Sequence, residues 1–160
     1  MFTITVDDVN ERPTITSGAT ATIDENTPAT TPIYTATSSD PDLVESLTYD
    51  LKAVPGDDAS LVSIDPTTGA VTLLDPADFE TKSSYTFTVV VTDKGGLTAE
   101  KTVTVTVRNV DEAPTAVTLS TDTATLPENT PTPTRRKMAD ITVTDDALGT
   151  NTITLTGPDA

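Results

Sequence analysis

Thr102-Val103-Thr104-Val105-Thr106-Val107 alternates a polar with an apolar β-branched residue over six consecutive positions. Successive side chains on a strand point to opposite faces, so this run buries its valines on one side and leaves its threonines on the other. Wound as a helix, the same residues would spread their apolar groups around the cylinder. The run also recurs. Thr3-Ile4-Thr5-Val6 carries the same alternation, and each copy leads into a short acidic phrase: Asp8-Val9-Asn10-Glu11-Arg12-Pro13-Thr14, then Asn109-Val110-Asp111-Glu112-Ala113-Pro114-Thr115, 101 residues later. A fixed period of that length marks tandem structural units joined by acidic linkers.

One full unit spans residues 13–108. Alternation and turn residues predict strands over 14–24, 31–38, 46–52, 60–64, 70–74, 84–92 and 97–108. Seven short strands in a unit of about 100 residues are the pattern of an all-β, antiparallel, immunoglobulin-like Greek-key sandwich. Tyr85, Phe87, Val89 and Val91 share one face of their strand, as do Val103, Val105 and Val107; both sets are expected to point into the sandwich. Asp65-Pro66-Thr67-Thr68-Gly69 and Lys94-Gly95-Gly96 read as tight turns. Residues 1–12 read as the last strand and linker of a preceding unit, 109–114 as a second linker, and 115–160 as the truncated start of a further unit with about three strands. The strand over 1–7 and that partial unit are complementary pieces of one repeat pattern, so the first is a candidate to fill the gap in the second.

Composition narrows the function. With 25 acidic against 9 basic residues the net charge is -16, which opposes binding to nucleic-acid phosphates or anionic membrane surfaces. There is no His and no Cys, hence no imidazole base, thiol nucleophile or zinc set; no Gly-rich phosphate loop occurs either. An enzyme is not expected. No apolar run approaches the roughly 20 residues of a membrane span.

The acidic residues of the full unit gather at strand ends and turns, as Asp24-Glu25-Asn26, Asp40-Pro41-Asp42, Asp78-Phe79-Glu80 and Asp93-Lys94-Gly95. Two carboxylates spaced i, i+2 in a loop can turn toward one ion, and calcium takes six to eight oxygen ligands from carboxylates, carbonyls and amides. Solvation of loops rich in Asp, Pro and Gly explains any single pair equally well. Four clusters and two acidic linkers in one order do not reduce to that.

That order resembles the cadherin repeat, particularly the bacterial cadherin-like repeats of large surface and secreted proteins. The family pattern has Glu-Asn near the end of the first strand (Glu25-Asn26), Asp-x-Asp after the second (Asp40-Pro41-Asp42), a mid-domain Asp-x-Glu (Asp78-Phe79-Glu80), Asp-x-Gly after the sixth (Asp93-Lys94-Gly95) and a linker Asp-x-Asn-Asp-Asn-x-Pro. The resemblance covers 8–115 and continues as Leu126-Pro127-Glu128-Asn129-Thr130-Pro131, an echo of Ile23-Asp24-Glu25-Asn26-Thr27-Pro28. It implies a cadherin-type sandwich with Ca2+ held between successive repeats. At the first joint Asp8, Asn10 and Glu11 would meet Asp40, Asp42 and Asp93. At the second, Glu25, Asp78 and Glu80 would meet Asn109, Asp111, Glu112, Asp145 and Asp146.

The departures from the pattern imply fewer ions per joint. Arg12 and Ala113 stand where the linker's second Asn belongs, Glu11 and Glu112 replace its Asp, and Ala147 occupies the place of the second Asp in Asp-x-Asp, with Asp146 as a candidate substitute. The resemblance implies a calcium-stiffened segment of an extracellular cell-adhesion protein at the bacterial cell surface or secreted, homophilic adhesion included, whose partners are neighbouring repeats and other cell-surface proteins. A calcium-dependent polysaccharide-binding module and a passive spacer are the alternatives; for the first, Tyr34, Tyr49 and Phe79 are the candidate platform. Arg135-Arg136-Lys137, the one basic cluster, reads as a solvated strand edge.

Overall fold

The computed structural model describes residues 1–7, 9–42, 46–121, 139–146 and 148–154. Asp8, the 126–131 echo, Arg135-Arg136-Lys137 and Ala147 lie outside the described residues. The chain divides into two compact units, Met1–Asn109 and Val110–Ala160. The first contains β1 (Thr14–Ile15), β2 (Thr20–Asp24), β3 (Pro32–Thr35), β4 (Ser38–Ser39), β5 (Thr48–Lys52), β6 (Val62–Ile64), β7 (Ala70–Leu73), β8 (Ser84–Thr92) and β9 (Thr98–Arg108), with one 3-10 turn at Ala59–Leu61. The second contains β10 (Ala116–Thr121) and β11 (Ala139–Thr144). No helix among the described residues is long and apolar enough to cross a membrane.

The first unit is a sandwich of a four-stranded sheet, order β2-β9-β8-β5, and a three-stranded sheet, order β3-β7-β6, with the β1-β4 ribbon beside them. The alternation of β8 and β9 works as its period requires. Phe87, Val89, Val91, Val103 and Val105 are wholly excluded from solvent, and Tyr85 pairs with Val105 and Phe87 with Val103 across the antiparallel ladder. Ile33, Tyr34, Val62, Val71 and Leu73 from the facing sheet complete the core, where the Tyr34 and Phe87 rings meet edge-on at 6.2 Å.

The first two expected strands are each broken, and the break changes the topology. Within 14–24, β1 pairs antiparallel with β4, whereas β2 pairs with β9 in parallel, a departure from an all-antiparallel sandwich. The chain crosses between sheets over residues 16–19. Its backbone groups there are taken up by Thr37, whose carbonyl accepts from Thr16 N and Ser17 N, by Tyr34, whose hydroxyl donates to Gly18 O, and by Lys101. Lys101 lies on β9 opposite Val89, and its Nζ donates to Ile15 O at 2.9 Å and Ser17 O at 2.6 Å. Within 31–38, the break between β3 and β4 falls at buried Ala36, whose N donates to Gly69 O. Gly69 has φ +70°, and a Cβ there would lie 2.5 Å from Ala36 O, so both the turn and the close approach require glycine.

Residues 1–7 form no strand, contrary to expectation: they belong to no sheet that would take up their backbone groups, and Phe2, Ile4 and Val6 stay exposed. In the second unit, β10 and β11 form an antiparallel ribbon over six residue pairs; no third strand occurs among the described residues.

Candidate metal centres

Asp93 and Asn109 bracket β9, and acidic groups collect around each. At the Asp93 end, the β8–β9 turn is closed by Asp93 itself, whose N donates to Leu97 O and whose Oδ1 accepts from Leu97 N at 2.8 Å. That double tie holds Asp93 only 5% exposed, with Oδ2 accepting from Asn10 Nδ2 at 3.1 Å. Asn10 lies directly against Gly95, where a Cβ would overlap its amide. After β4, Asp40 Oδ1 accepts from Asp42 N at 2.9 Å, and Asp42 Oδ2 accepts from Glu11 N at 2.8 Å. Linker, Asp-x-Asp loop and β8–β9 turn thus converge, and Asn10, Glu11, Asp40, Asp42 and Asp93 come together as expected.

At the Asn109 end, β2 runs out at Asp24, and Glu25, 5% exposed, turns inward. Asn26 adopts φ +59°, which an Asn tolerates better than most residues, and its N donates to Ala77 O. This bend lets Glu25 Oε2 accept from Phe79 N at 3.1 Å, drawing the Asp78-Phe79-Glu80 loop onto β2. Glu80 Oε1 accepts from Asn109 Nδ2 at 3.1 Å. Loss of hydration, then the facing Glu25 carboxyl, push the Glu80 pKa up; the Thr81 backbone N–H and hydroxyl pull that of Asp78 down. Here Glu25, Glu80 and Asn109 interlock, with Asp78 beside them. An ion pair between Arg108 and Asp24, 2.7 Å, lies on the strand ends next to the cluster.

The second unit repeats the first arrangement in part. Glu112 N donates to Asp146 Oδ2 at 3.3 Å, as Glu11 N does to Asp42. Asp146 therefore takes the linker amide that the second Asp of the pattern takes in the first unit, although Ala147 holds that position in sequence. Asp111 rests on Gly149, as Asn10 rests on Gly95; Gly149 has φ +71°, and a Cβ there would overlap the Asp111 carboxylate. Asp145 Oδ2 accepts from Asn151 Nδ2 at 2.7 Å, which brings in a residue that no sequence argument had singled out. An amide placed six residues after the first Asp was the available signal.

The donor set fits a hard cation. Among the described residues, the buried side-chain polar atoms lacking any hydrogen-bond partner are Asp40 Oδ2, Asp57 Oδ2, Asn109 Oδ1 and Asp145 Oδ1. Each is an oxygen, and three of the four belong to the sets read from sequence, one in each cluster. A buried acceptor left unpaired costs about 1–3 kcal/mol, a cost that coordination to calcium would remove. The fourth, on Asp57, sits apart in the loop before the 3-10 turn, where its Oδ1 accepts from Ala59 N.

Comparison with known proteins agrees with this architecture. Residues 19–108, more than half of the chain, match the Cadherin domain family. Human Protocadherin beta-1 is 35% identical over 113 residues, covering 69% of this chain and 14% of that protein. Human Cadherin EGF LAG seven-pass G-type receptor 2 is 41% identical over 78 residues, 47% of this chain and 3% of that protein. The solved structure of Protocadherin Gamma B2 extracellular cadherin domains 1-5 superposes with a TM-score of 0.65 at 27% identity, covering 87% of this chain and 27% of that one. The chain thus spans a small fraction of the curated relatives it matches. A sandwich whose valine ladder, split first strand and acidic ends coincide with a match of that extent is an extracellular repeat of adhesion proteins: the chain belongs to the cadherin family.

Proposed function

We propose that this chain is a calcium-stiffened segment of a cell-adhesion protein, with ions bound at the ends of its repeats. In this reading 13–108 is one repeat, 1–12 and 109–114 carry linkers, and 115–160 opens the next. Asn10, Glu11, Asp40, Asp42 and Asp93, with Asp8, form the ligand set of one joint. Glu25, Asp78, Glu80 and Asn109 supply one half of another, to which Asp111, Glu112, Asp145 and Asp146 are the complement. The observation that carries the reading is the partnerless buried oxygen in each cluster, on Asp40, Asn109 and Asp145. A packed, hydrogen-bonded loop that leaves one oxygen of a carboxylate or amide free is prepared for an ion, whereas loops that are acidic only for solvation keep their oxygens in water.

Without calcium, clustered carboxylates repel across each joint. With it, the repulsion becomes coordination. The residues do no covalent chemistry; they bind, and the family consists of adhesion modules rather than enzymes. A polysaccharide platform finds no support, because Tyr34 is buried and Tyr49 and Phe79 pack against the core. The test is thermal melting during a calcium titration with chelator as control. A saturable rise in melting temperature over about 0.1–10 mM, the range of weak extracellular sites and above, is expected; equal melting temperatures in calcium and chelator overturn the reading.

A further inference from the structure

The β10–β11 ribbon has an apolar face that nothing described covers. Its ladder pairs Val117 with Val143 and Leu119 with Ile141, so all four side chains share one face, while Thr118, Ser120, Asp140 and Thr142 share the other. Val117 is 64% exposed, Leu119 66% and Ile141 40%; Ile153, 54% exposed, and Pro114 extend the same surface along a cleft of about 260 Å³. The first unit shows what such a face requires. Ile15 of β1 is paired with the residue two before Asp40, just as Val117 is paired with the residue two before Asp145, and Ile15 is only 6% exposed because it sits in one core with the valines of β8 and β9. Its cover is an alternating Thr/Val strand.

An alternating strand of that kind is exposed elsewhere in the chain. Phe2, Ile4 and Val6 lie on one side of Met1–Asp7 at 103%, 87% and 88% exposure, and the segment belongs to no sheet. Residues 1–6 carry no charged side chain, nor do Val117, Leu119, Ile141 and Val143. On a chain of net charge -16, copies repel at most points of approach, and uncharged apolar patches are the surfaces on which they can meet.

We propose that the apolar face of the β10–β11 ribbon is an interaction surface for a second copy of this chain, which inserts its Phe2-Thr3-Ile4-Thr5-Val6 strand over it. Donor and acceptor are different patches, so the contact is heterologous and each copy retains one free donor and one free acceptor. Assembly is head-to-tail and grows with concentration. Salt strengthens it by screening the net charge; a contact made through Arg135-Arg136-Lys137 would weaken in salt.

The chain has no cysteine, which permits a clean test on the full chain. Ile4→Cys and Leu119→Cys are prepared separately, mixed and mildly oxidised, and the disulfide products are identified by mass. The expected product is the mixed dimer that joins position 4 of one variant to position 119 of the other, in excess over either homodimer. The sedimentation mass of the wild type should also rise from 16.7 kDa toward at least twice that value with concentration. Phe2→Asp with Ile4→Asp, on exposed residues that leave both units folded by circular dichroism, returns the mass to the monomer value. A wild type that stays monomeric at every concentration overturns the proposal. So does an excess of the Leu119→Cys homodimer, which would mean face-to-face pairing. An Ile4→Cys/Leu119→Cys double variant that closes within a single chain would equally overturn it, since the occupant would then be the chain's own strand.

Discussion

Asp40→Asn separates the ion from the hydrogen bond. The wild-type carboxylate accepts from Asp42 N through Oδ1 at 2.9 Å and leaves Oδ2 buried with no partner. Asparagine keeps the acceptor and removes the charge, so without calcium the loop retains its hydrogen bond and loses repulsion with Asp42 and Asp93. In chelator the variant is expected within about 0.5 kcal/mol of the wild type, or slightly above it. With calcium the balance reverses. A site with Kd of about 0.1–1 mM, held at about 10 mM ion, stabilises the wild type by RT ln(1 + [L]/Kd), roughly 1.4–2.7 kcal/mol. For a domain of this size each kcal/mol moves Tm by about 4–8 °C, so one site accounts for a shift of roughly 6–20 °C. The assay is differential scanning fluorimetry of both proteins in chelator and in calcium. The variant should lose most of the calcium-induced shift and little or none of its stability in chelator. An equal loss under both conditions would refute the reasoning, because Asp40 would then act through the loop's hydrogen bonds and not through an ion.

Four further outcomes follow from the same geometry. Phe87→Ala empties the centre of the core and should cost about 3–5 kcal/mol in urea, with or without calcium. Lys101→Met should leave Ile15 O and Ser17 O without their donor, lowering stability by about 1–3 kcal/mol and opening the 16–19 crossover to limited proteolysis. Gly149→Ala, strained by φ +71° and overlapping Asp111, should weaken calcium binding more than it lowers stability in chelator. In chelator, stability should respond to acid in two senses, read as the urea midpoint from about pH 3 to 6. Asp65, lowered by the backbone N–H groups of Thr68 and Thr67, and Asp78, lowered by Thr81, contribute stability above the ordinary Asp pKa of 3.8 that is lost as pH falls through their folded values. Glu80, raised, contributes stability below its ordinary 4.5 that is lost as pH rises through its folded value, so Glu80→Gln should flatten that limb.

Where one periodicity governed a whole element, the structure followed the residues. β8 occupies 84–92 as expected, and β9 begins one residue inside its expected bounds, because an alternation nine to eleven residues long leaves a single register that buries every valine. The broken strands were not legible. Residues 14–24 alternate well enough to read as one strand, and what divides them is tertiary: Lys101 and Tyr34, distant in sequence, satisfy the crossover's carbonyls. The strand over 1–7 shows the reverse error. Its alternation is as good as that of β9, but a strand needs a neighbour, and the segment pairs with none among the described residues. The acidic motifs told which residues gather around Asp93 and around Asn109, since those sets depend on loop-local spacing anchored to strand ends. The use of Asp146 in place of residue 147, and the recruitment of Asn151, depend on how the chain leaves β11, which spacing alone does not encode.

The most direct measurement is a crystal structure of the full chain grown in millimolar calcium, with anomalous scattering used to place the ions. The account predicts calcium within about 2.3–2.6 Å of Asp40 Oδ2, Asn109 Oδ1 and Asp145 Oδ1, the oxygens that otherwise have no partner. Ordered loops at those three residues with only water beside them, in saturating calcium, would contradict it.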